Sequence, residues 1–243
     1  GCEEIILCSP PNSYGNIPDE VLFTASLCGI DKIFKIGGIQ AIAAMTFGTE
    51  SIPKVYKIFG PGNQYVTSAK QFATRYSVSI DMPAGPSELL VAADDTADPD
   101  FVASDLLSQA EHGPDSQVVL VSTKKDFVEK VNKSISYQID ELQRNDIVKK
   151  ALLNSKAIIF DNDKSAVDFI NEYSPEHYII CVKNEDYYIK NVKNAGSVFI
   201  GNYTPESAGD YASGTNHTLP TNGYSKQYSG ANLDSFTKSI TFQ

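Results

Sequence analysis

Short apolar runs alternate with amphipathic stretches along most of this chain. The runs fall at residues 5–9, 32–36, 55–59, 78–81, 89–92, 117–122, 157–160, 178–182 and 197–200, and most are continuously apolar rather than alternating. That is the pattern of strands buried on both faces by crossover helices, so the fold class is α/β with mainly parallel sheets. Helices are predicted between them at 18–28, 40–47, around 62–75, and at 99–111, 125–143, 164–173 and 186–194. The helix at 99–111 carries full boundary signals: Asp98 as N-cap, Pro99 at the first helical position, and Gly113-Pro114 as a stop.

Two loops rich in Gly and Pro interrupt the alternation, Asp81-Met-Pro-Ala-Gly-Pro-Ser87 and Gly209-Asp-Tyr-Ala-Ser-Gly-Thr-Asn-His-Thr-Leu-Pro220. The first divides two α/β units, giving expected domains at 1–86 and 87–231. Beyond Pro220 the sequence turns polar and weakly periodic, with Tyr224, Tyr228 and Phe236 as large anchors, and 232–243 reads as the start of a C-terminal extension.

Composition narrows the function classes. A 42% hydrophobic content supports packed cores, and a formal charge of −10 argues against a phosphate-backbone partner, which requires clustered Lys and Arg. Small solutes fit better than nucleic acid. Cys2, Cys8, Cys28 and Cys181 show no Cys-x-x-Cys spacing and lie in apolar segments, the expectation being buried free thiols in a reducing, cytoplasmic setting. No apolar run approaches the roughly 18 residues of a membrane span, and Gly1-Cys-Glu-Glu lacks the basic start of a signal peptide.

The chain has three histidines, and each sits beside acids, amides, Gly or Pro: Gln109-Ala-Glu-His112, Ser174-Pro-Glu-His177 and Asp210-Tyr-Ala-Ser-Gly-Thr-Asn-His217. Gln109 and His112, at i and i+3 in the last turn of a helix, would share one face, where the helix dipole favours a cation. Alternatively His112 caps the last carbonyls. Glu176-His177 enters a strand and offers either a proton-transfer pair or a hydrogen-bonded loop pair that orients the strand. Asp210 and His217 bracket a turn of hydroxyls and amides that either bends both groups to one point or caps itself. Gly60-Pro-Gly-Asn63 and Gly37-Gly-Ile-Gln40 each follow a strand where α/β folds bind ligands, yet neither is Gly-x-Gly-x-x-Gly, and a tight turn is the plain alternative.

With these residues in place, the chain resembles histidinol dehydrogenase. The matching strings are Gly37-Gly-Ile-Gln-Ala-Ile-Ala-Ala44, Lys57-Ile-Phe-Gly-Pro-Gly-Asn63, Ile80-Asp-Met-Pro-Ala-Gly-Pro-Ser-Glu88, the stretch from Pro99 to Gln117 containing Gln-Ala-Glu-His-Gly-Pro, Pro175-Glu-His177, and Pro205-Glu-Ser-Ala-Gly-Asp-Tyr-Ala-Ser-Gly-Thr-Asn-His217. The resemblance implies two incomplete Rossmann-like domains, the first contacting NAD and the second holding zinc and substrate. It implies a zinc-dependent, NAD-linked oxidation of L-histidinol to L-histidine through a bound aldehyde. Gln109, His112 and Asp210 would bind zinc. His177 would take the alcohol proton and Glu176 would activate water. Ser87 and His217 would contact substrate together with the zinc-site and proton-transfer residues, and Gln40 and Asn63 would contact NAD. The family is a homodimer whose partner chain donates a fourth ligand, a histidine in a C-terminal segment. No histidine follows His217 here, so the chain reads as a core fragment with impaired activity of its own.

Two other classes stay open from the residues: a non-catalytic α/β ligand-binding module, and a zinc-dependent hydrolase that would release product without NAD.

Overall fold

The computed structural model describes residues 2–243. It divides into two compact units, one running to Pro83 and taking in Ala231–Gln243, the other comprising Ala84–Gly230. The segment read as the start of an extension therefore returns to the first unit, where Phe236 stacks on Phe59 at 4.1 Å between ring centroids and the Ser235 carbonyl accepts from Lys57 Nζ at 2.6 Å.

In the first unit, β1 (Ile6–Cys8) and β2 (Lys32–Phe34) form one parallel pair, with α1 (Asp19–Leu27) between them in sequence; β3 (Lys57–Ile58) and β4 (Ser79–Ile80) form another. Helices α2 (Gly38–Phe47) and α3 (Gln64–Ala73) pack together over a small core of Ile42, Ile58, Ala73 and Val78. Lys70 is buried on α3, where it pairs with Asp81 and donates to the Gly60 carbonyl at 2.7 Å, while Gly60 N–H donates to Asp81 at 2.8 Å. That network sets the shape of the turn after β3.

The second unit is a five-stranded, wholly parallel sheet in the order β7-β6-β5-β8-β9. Its strands are β5 (Glu88–Ala93), β6 (Gln117–Ser122), β7 (Lys156–Ile159), β8 (His177–Cys181) and β9 (Ser197–Ile200). Side chains alternate between two cores as the pleat demands. Leu89, Val91, Val118, Leu120 and Ile179 face α4 (Pro99–Ala110), α5 (Lys125–Gln138) and α6 (Asn145–Leu153) through Val102, Leu106, Phe127, Val131 and Val148. Leu90, Ala92, Val119, Val121 and Ile180 face α7 (Asp163–Tyr173) and α8 (Glu185–Lys190) through Val167, Ile170 and Tyr188. Burial on both faces is why these strands read as continuous apolar runs.

Four expectations need correction. The helix expected over 125–143 stops at Gln138 and passes through a 3-10 turn, Ile139–Glu141, into α6, which the sequence reading missed. Helix α6 starts at Asn145 behind an N-cap, Arg144, that makes no side-chain cap, so only Asp146 in its first turn marked the start. The loop expected from Gly209 begins instead inside a short helix, α9 (Ser207–Tyr211). The helix expected over 186–194 ends at Lys190. Of the four cysteines only Cys181 is buried; Cys8 is half-buried, and Cys2 and Cys28 are exposed, all of them free. Among the described residues no helix is long and apolar enough to cross a membrane.

Candidate active site

Ligands of doubly wound sheets sit at the carboxyl ends of strands, where the strand order reverses. In the second unit that point lies between β5 and β8, where Asp94 accepts from Lys183 N–H at 2.8 Å, and its own N–H donates to the Cys181 carbonyl at 3.3 Å. The chemistry-bearing residues gather at the opposite, amino ends of the same two strands.

There Glu88 opens β5 and His177 opens β8, in a register that places Leu89 beside His177. The Glu88 N–H donates to Glu176 Oε2 at 2.9 Å, and His177 Nδ1 lies 3.3 Å from the Glu88 carbonyl. The Glu88 carboxylate accepts from the Asn222 N–H at 2.7 Å, and Gly85 N–H donates to Thr221 Oγ1 at 2.6 Å, so the strand entry is pinned to the 221–223 turn. Ser87, half-buried, is held in this entry by its carbonyl, which accepts from Gln117 N–H at 3.3 Å.

Local sequence delivers Glu176 to this point. Ser174 ends α7 in a left-handed conformation (φ 63°), Pro175 forbids further helix, and the chain turns directly into β8. Gly196 lies against the Glu176 carbonyl so closely that a Cβ there would sit 2.5 Å from its oxygen. Glycine is required for that approach.

Glu176 and His177 are both buried, at 5% and 6% exposure. Burial, reinforced by the charges of Glu88, Glu206 and Asp210 and opposed by the Glu88 N–H, raises the Glu176 carboxyl well above the ordinary range. Burial lowers the His177 imidazole to about 4; the Glu88 carbonyl and Asp210 oppose the shift, and the charges of His112 and His217 add to it. The three histidines thus act on one locale. At neutral pH His177 is a neutral imidazole. With Nδ1 turned to the Glu88 carbonyl, its Nε2 faces Glu206 Oε1 at 3.6 Å.

Beside it lies a group able to hold a cation: one ligand atom from each of His112, Glu206 and Asp210, all within 4.8 Å of one another. Glu206 and Asp210 are spaced i, i+4 across the start of α9. Glu206 is buried, and its N–H donates to the Asp105 carboxyl on α4. His112 lies past the end of α4 rather than in its last turn and is exposed; its N–H donates to the Gln109 carbonyl at 3.2 Å. Gln109 is 0% exposed, and among the described residues neither atom of its side-chain amide has a hydrogen-bond partner. A buried amide in that state is uncommon in a folded protein. His217 is exposed, with Nδ1 3.9 Å from Asp210 Oδ1.

Gln40 and Asn63 belong to the first unit, and both are exposed. Asn63 is the N-cap of α3: its Oδ1 accepts from the N–H groups of Tyr65 and Val66 at 3.1 Å each. Gln40 stands in the first turn of α2, after Gly38 with φ 63°.

A family model described as histidinol dehydrogenase matches residues 1–243. The chain belongs to the histidinol dehydrogenase family. It is 58% identical to the histidinol dehydrogenase of Bacteroides fragilis (strain YCH46) over 243 residues, all of this chain and 57% of that protein. The crystal structure of histidinol dehydrogenase from Elizabethkingia anophelis superposes with a TM-score of 0.95 at 57% identity, covering 100% of this chain and 56% of that one. A propionaldehyde dehydrogenase from Clostridium phytofermentans, at 13% identity and a TM-score of 0.51 over 89% of this chain and 63% of its own, shares the fold alone. The chain thus spans somewhat over half the length of the histidinol dehydrogenases it matches.

Two residues at this site escaped the sequence reading, Glu88 and Glu206. Both lie within strings that carry the family resemblance, and Glu206 stands one helical turn before Asp210. That spacing is a usable signal only once 207–211 is known to be helical.

Proposed function

We propose that this chain forms the catalytic core of a zinc-dependent, NAD-linked dehydrogenase that oxidises L-histidinol to L-histidine through a bound L-histidinaldehyde, the closing steps of histidine biosynthesis. Family membership supports the substrate and the pathway. The observation that carries the chemistry is the buried, neutral His177, held at Nδ1 by the Glu88 carbonyl with Nε2 directed towards the cation group.

His177 Nε2 takes the proton of the substrate alcohol. Glu176, whose burial gives it a raised proton affinity, is in its ionised form a stronger base than a solvated carboxylate, and it takes the proton of the water that adds to the aldehyde. Gln109, His112 and Asp210 would hold zinc, in keeping with the unpartnered amide of Gln109 and the convergence of the other two. Zinc bound there would orient the imidazole and amine of the substrate, and NAD would accept the hydrides. Ser87 and His217, at the rim of the same strand ends, would contact substrate. Gln40 and Asn63 would contact NAD, Asn63 through the amide nitrogen that its capping role leaves over. The homodimer and the cytoplasmic setting rest on the family resemblance.

The test is NADH formation by the zinc-loaded protein that carries these residues. Two NADH for each L-histidinol consumed is the expected result. Product without NADH would favour a hydrolase, and binding of L-histidinol without turnover a ligand-binding module.

A further inference from the structure

The first unit buries an ion pair that the proposed chemistry does not use, Lys70 of α3 with Asp81 directly after β4, the two side chains 2% and 0% exposed. Stability alone does not call for it, because apolar side chains of similar volume often serve a core as well as a desolvated pair. What the pair holds is both polar groups of Gly60. Lys70 Nζ donates to the Gly60 carbonyl at 2.7 Å, and the Gly60 N–H donates to Asp81 Oδ2 at 2.8 Å. Asp81 is itself fixed: its Oδ1 accepts the Met82 N–H at 2.6 Å, and its own N–H donates to the Ile58 carbonyl at 3.1 Å.

Gly60 stands at φ 136°, a conformation that glycine adopts readily and other residues rarely, and a Cβ there would meet no other atom. The demand for glycine is conformational, and a residue so free would sample many states without the two bonds that hold it. The rest of the turn is locked by other means. Pro61 has a fixed φ, Gly62 lies so close to Val66 that a Cβ would sit 2.5 Å from its Cγ1, and Asn63 caps α3.

We propose that Lys70 and Asp81 are positioning residues for the cofactor: by clamping both polar groups of Gly60 they hold the 60–63 turn, and with it the Asn63 amide, in the conformation that NAD meets. The proposal rests on the reading that Asn63 contacts NAD. Neither side chain of the pair has to touch the nucleotide. A turn fixed beforehand spares the ordering cost at the moment of binding, and ordering the backbone of one residue is worth about a five- to thirty-fold change in affinity.

The test compares the zinc-loaded protein that carries this chain with Lys70→Met/Asp81→Asn, Gly60→Ala and Asn63→Ser. It reads kcat, the KM values for NAD and for L-histidinol, and the melting temperature. The double variant removes both charges together and keeps an acceptor for the Gly60 N–H, so that no buried charge is stranded. Gly60→Ala strains the same peptide with the pair intact, and Asn63→Ser keeps an N-cap while removing the amide nitrogen. In the double variant and in Gly60→Ala, KM for NAD should rise about five- to thirty-fold, with kcat at saturating NAD and KM for L-histidinol at parental values. A merely structural pair would lower the melting temperature without that split. Parental KM for NAD in either of the two, with a raised value in Asn63→Ser, would overturn the positioning role and leave the cofactor reading standing. An equal rise in both KM values would overturn it too, as a general loss of structure. Parental KM for NAD in Asn63→Ser would overturn the cofactor reading and the inference with it.

Discussion

The Glu88 amide donates to the Glu176 carboxylate at 2.9 Å across the entry of two neighbouring parallel strands. Residue 88 also presents its carbonyl to His177 Nδ1. One peptide position therefore sets the orientation of both members of the proton-transfer pair, by backbone groups that any residue but proline would supply at 88. The side chain of Glu88 serves the same end by tying the strand entry to Asn222.

His177→Ala is expected to lower turnover by roughly two to four orders of magnitude, the span of a general acid or base, while the protein retains its zinc. Steady-state NADH kinetics with metal analysis on the same sample checks both. Near-parental turnover would remove His177 from the mechanism, and loss of zinc would make it a ligand.

Gly196→Ala forces a Cβ to within 2.5 Å of the Glu176 carbonyl oxygen, which is backbone and has no freedom to swing aside. The strand entry must shift, at a cost of about 1–3 kcal/mol, and Glu176 must move with it. Denaturant unfolding should show the loss, and kcat should fall although residue 196 touches no reacting atom. A variant with parental midpoint and kcat would show that the approach is not constraining.

Burial raises the Asp105 carboxyl from 3.8 to about 6, with the Glu206 N–H as the smaller opposing influence. The folded chain keeps this proton through a window in which the unfolded chain has released it. The stabilising contribution is thus complete below 3.8 and is lost as pH rises through about 6. Asp105→Asn, which can still accept the Glu206 N–H, should gain stability relative to the parent as pH rises from 4 to 7 (about the window just given). Urea midpoints across that range provide the measurement; a difference independent of pH would refute the assignment.

Lys70→Met leaves Asp81 fully buried without its cation, and the turn at Gly60 loses a donor. Breaking a buried pair from one side costs about 3–5 kcal/mol, so a large drop in unfolding midpoint is expected. Adding Asp81→Asn, which removes the stranded charge but keeps an acceptor for the Gly60 N–H, should restore part of the loss. Equal stability of the single and double variants would place the effect in packing rather than charge.

What the sequence determined by itself was local. Continuous apolar runs such as Leu89-Leu-Val-Ala92 can be buried only on both faces, and this was enough to specify a parallel sheet under two helical layers. Asp98-Pro99 and Gly113-Pro114 marked the ends of α4 to within a few residues, because caps act through neighbouring backbone groups. Helix α6 went unread because its start has no capping side chain and its buried face, Val148 and Ala151, is recognisable only against the partner it packs on. The tertiary structure alone decided which end of the sheet bears the site. Strand order placed β8 beside β5, and the register then put Glu176 on the amide of Glu88, a pairing across 88 positions that no periodicity encodes. It likewise tied Asp94 to the Lys183 N–H at the carboxyl ends, assigned Asn63 Oδ1 to a helix cap, and brought Glu206 near both His177 and Asp210. Proximity between distant residues follows from how whole elements pack, whereas pattern along the chain reports only which side of each element faces water.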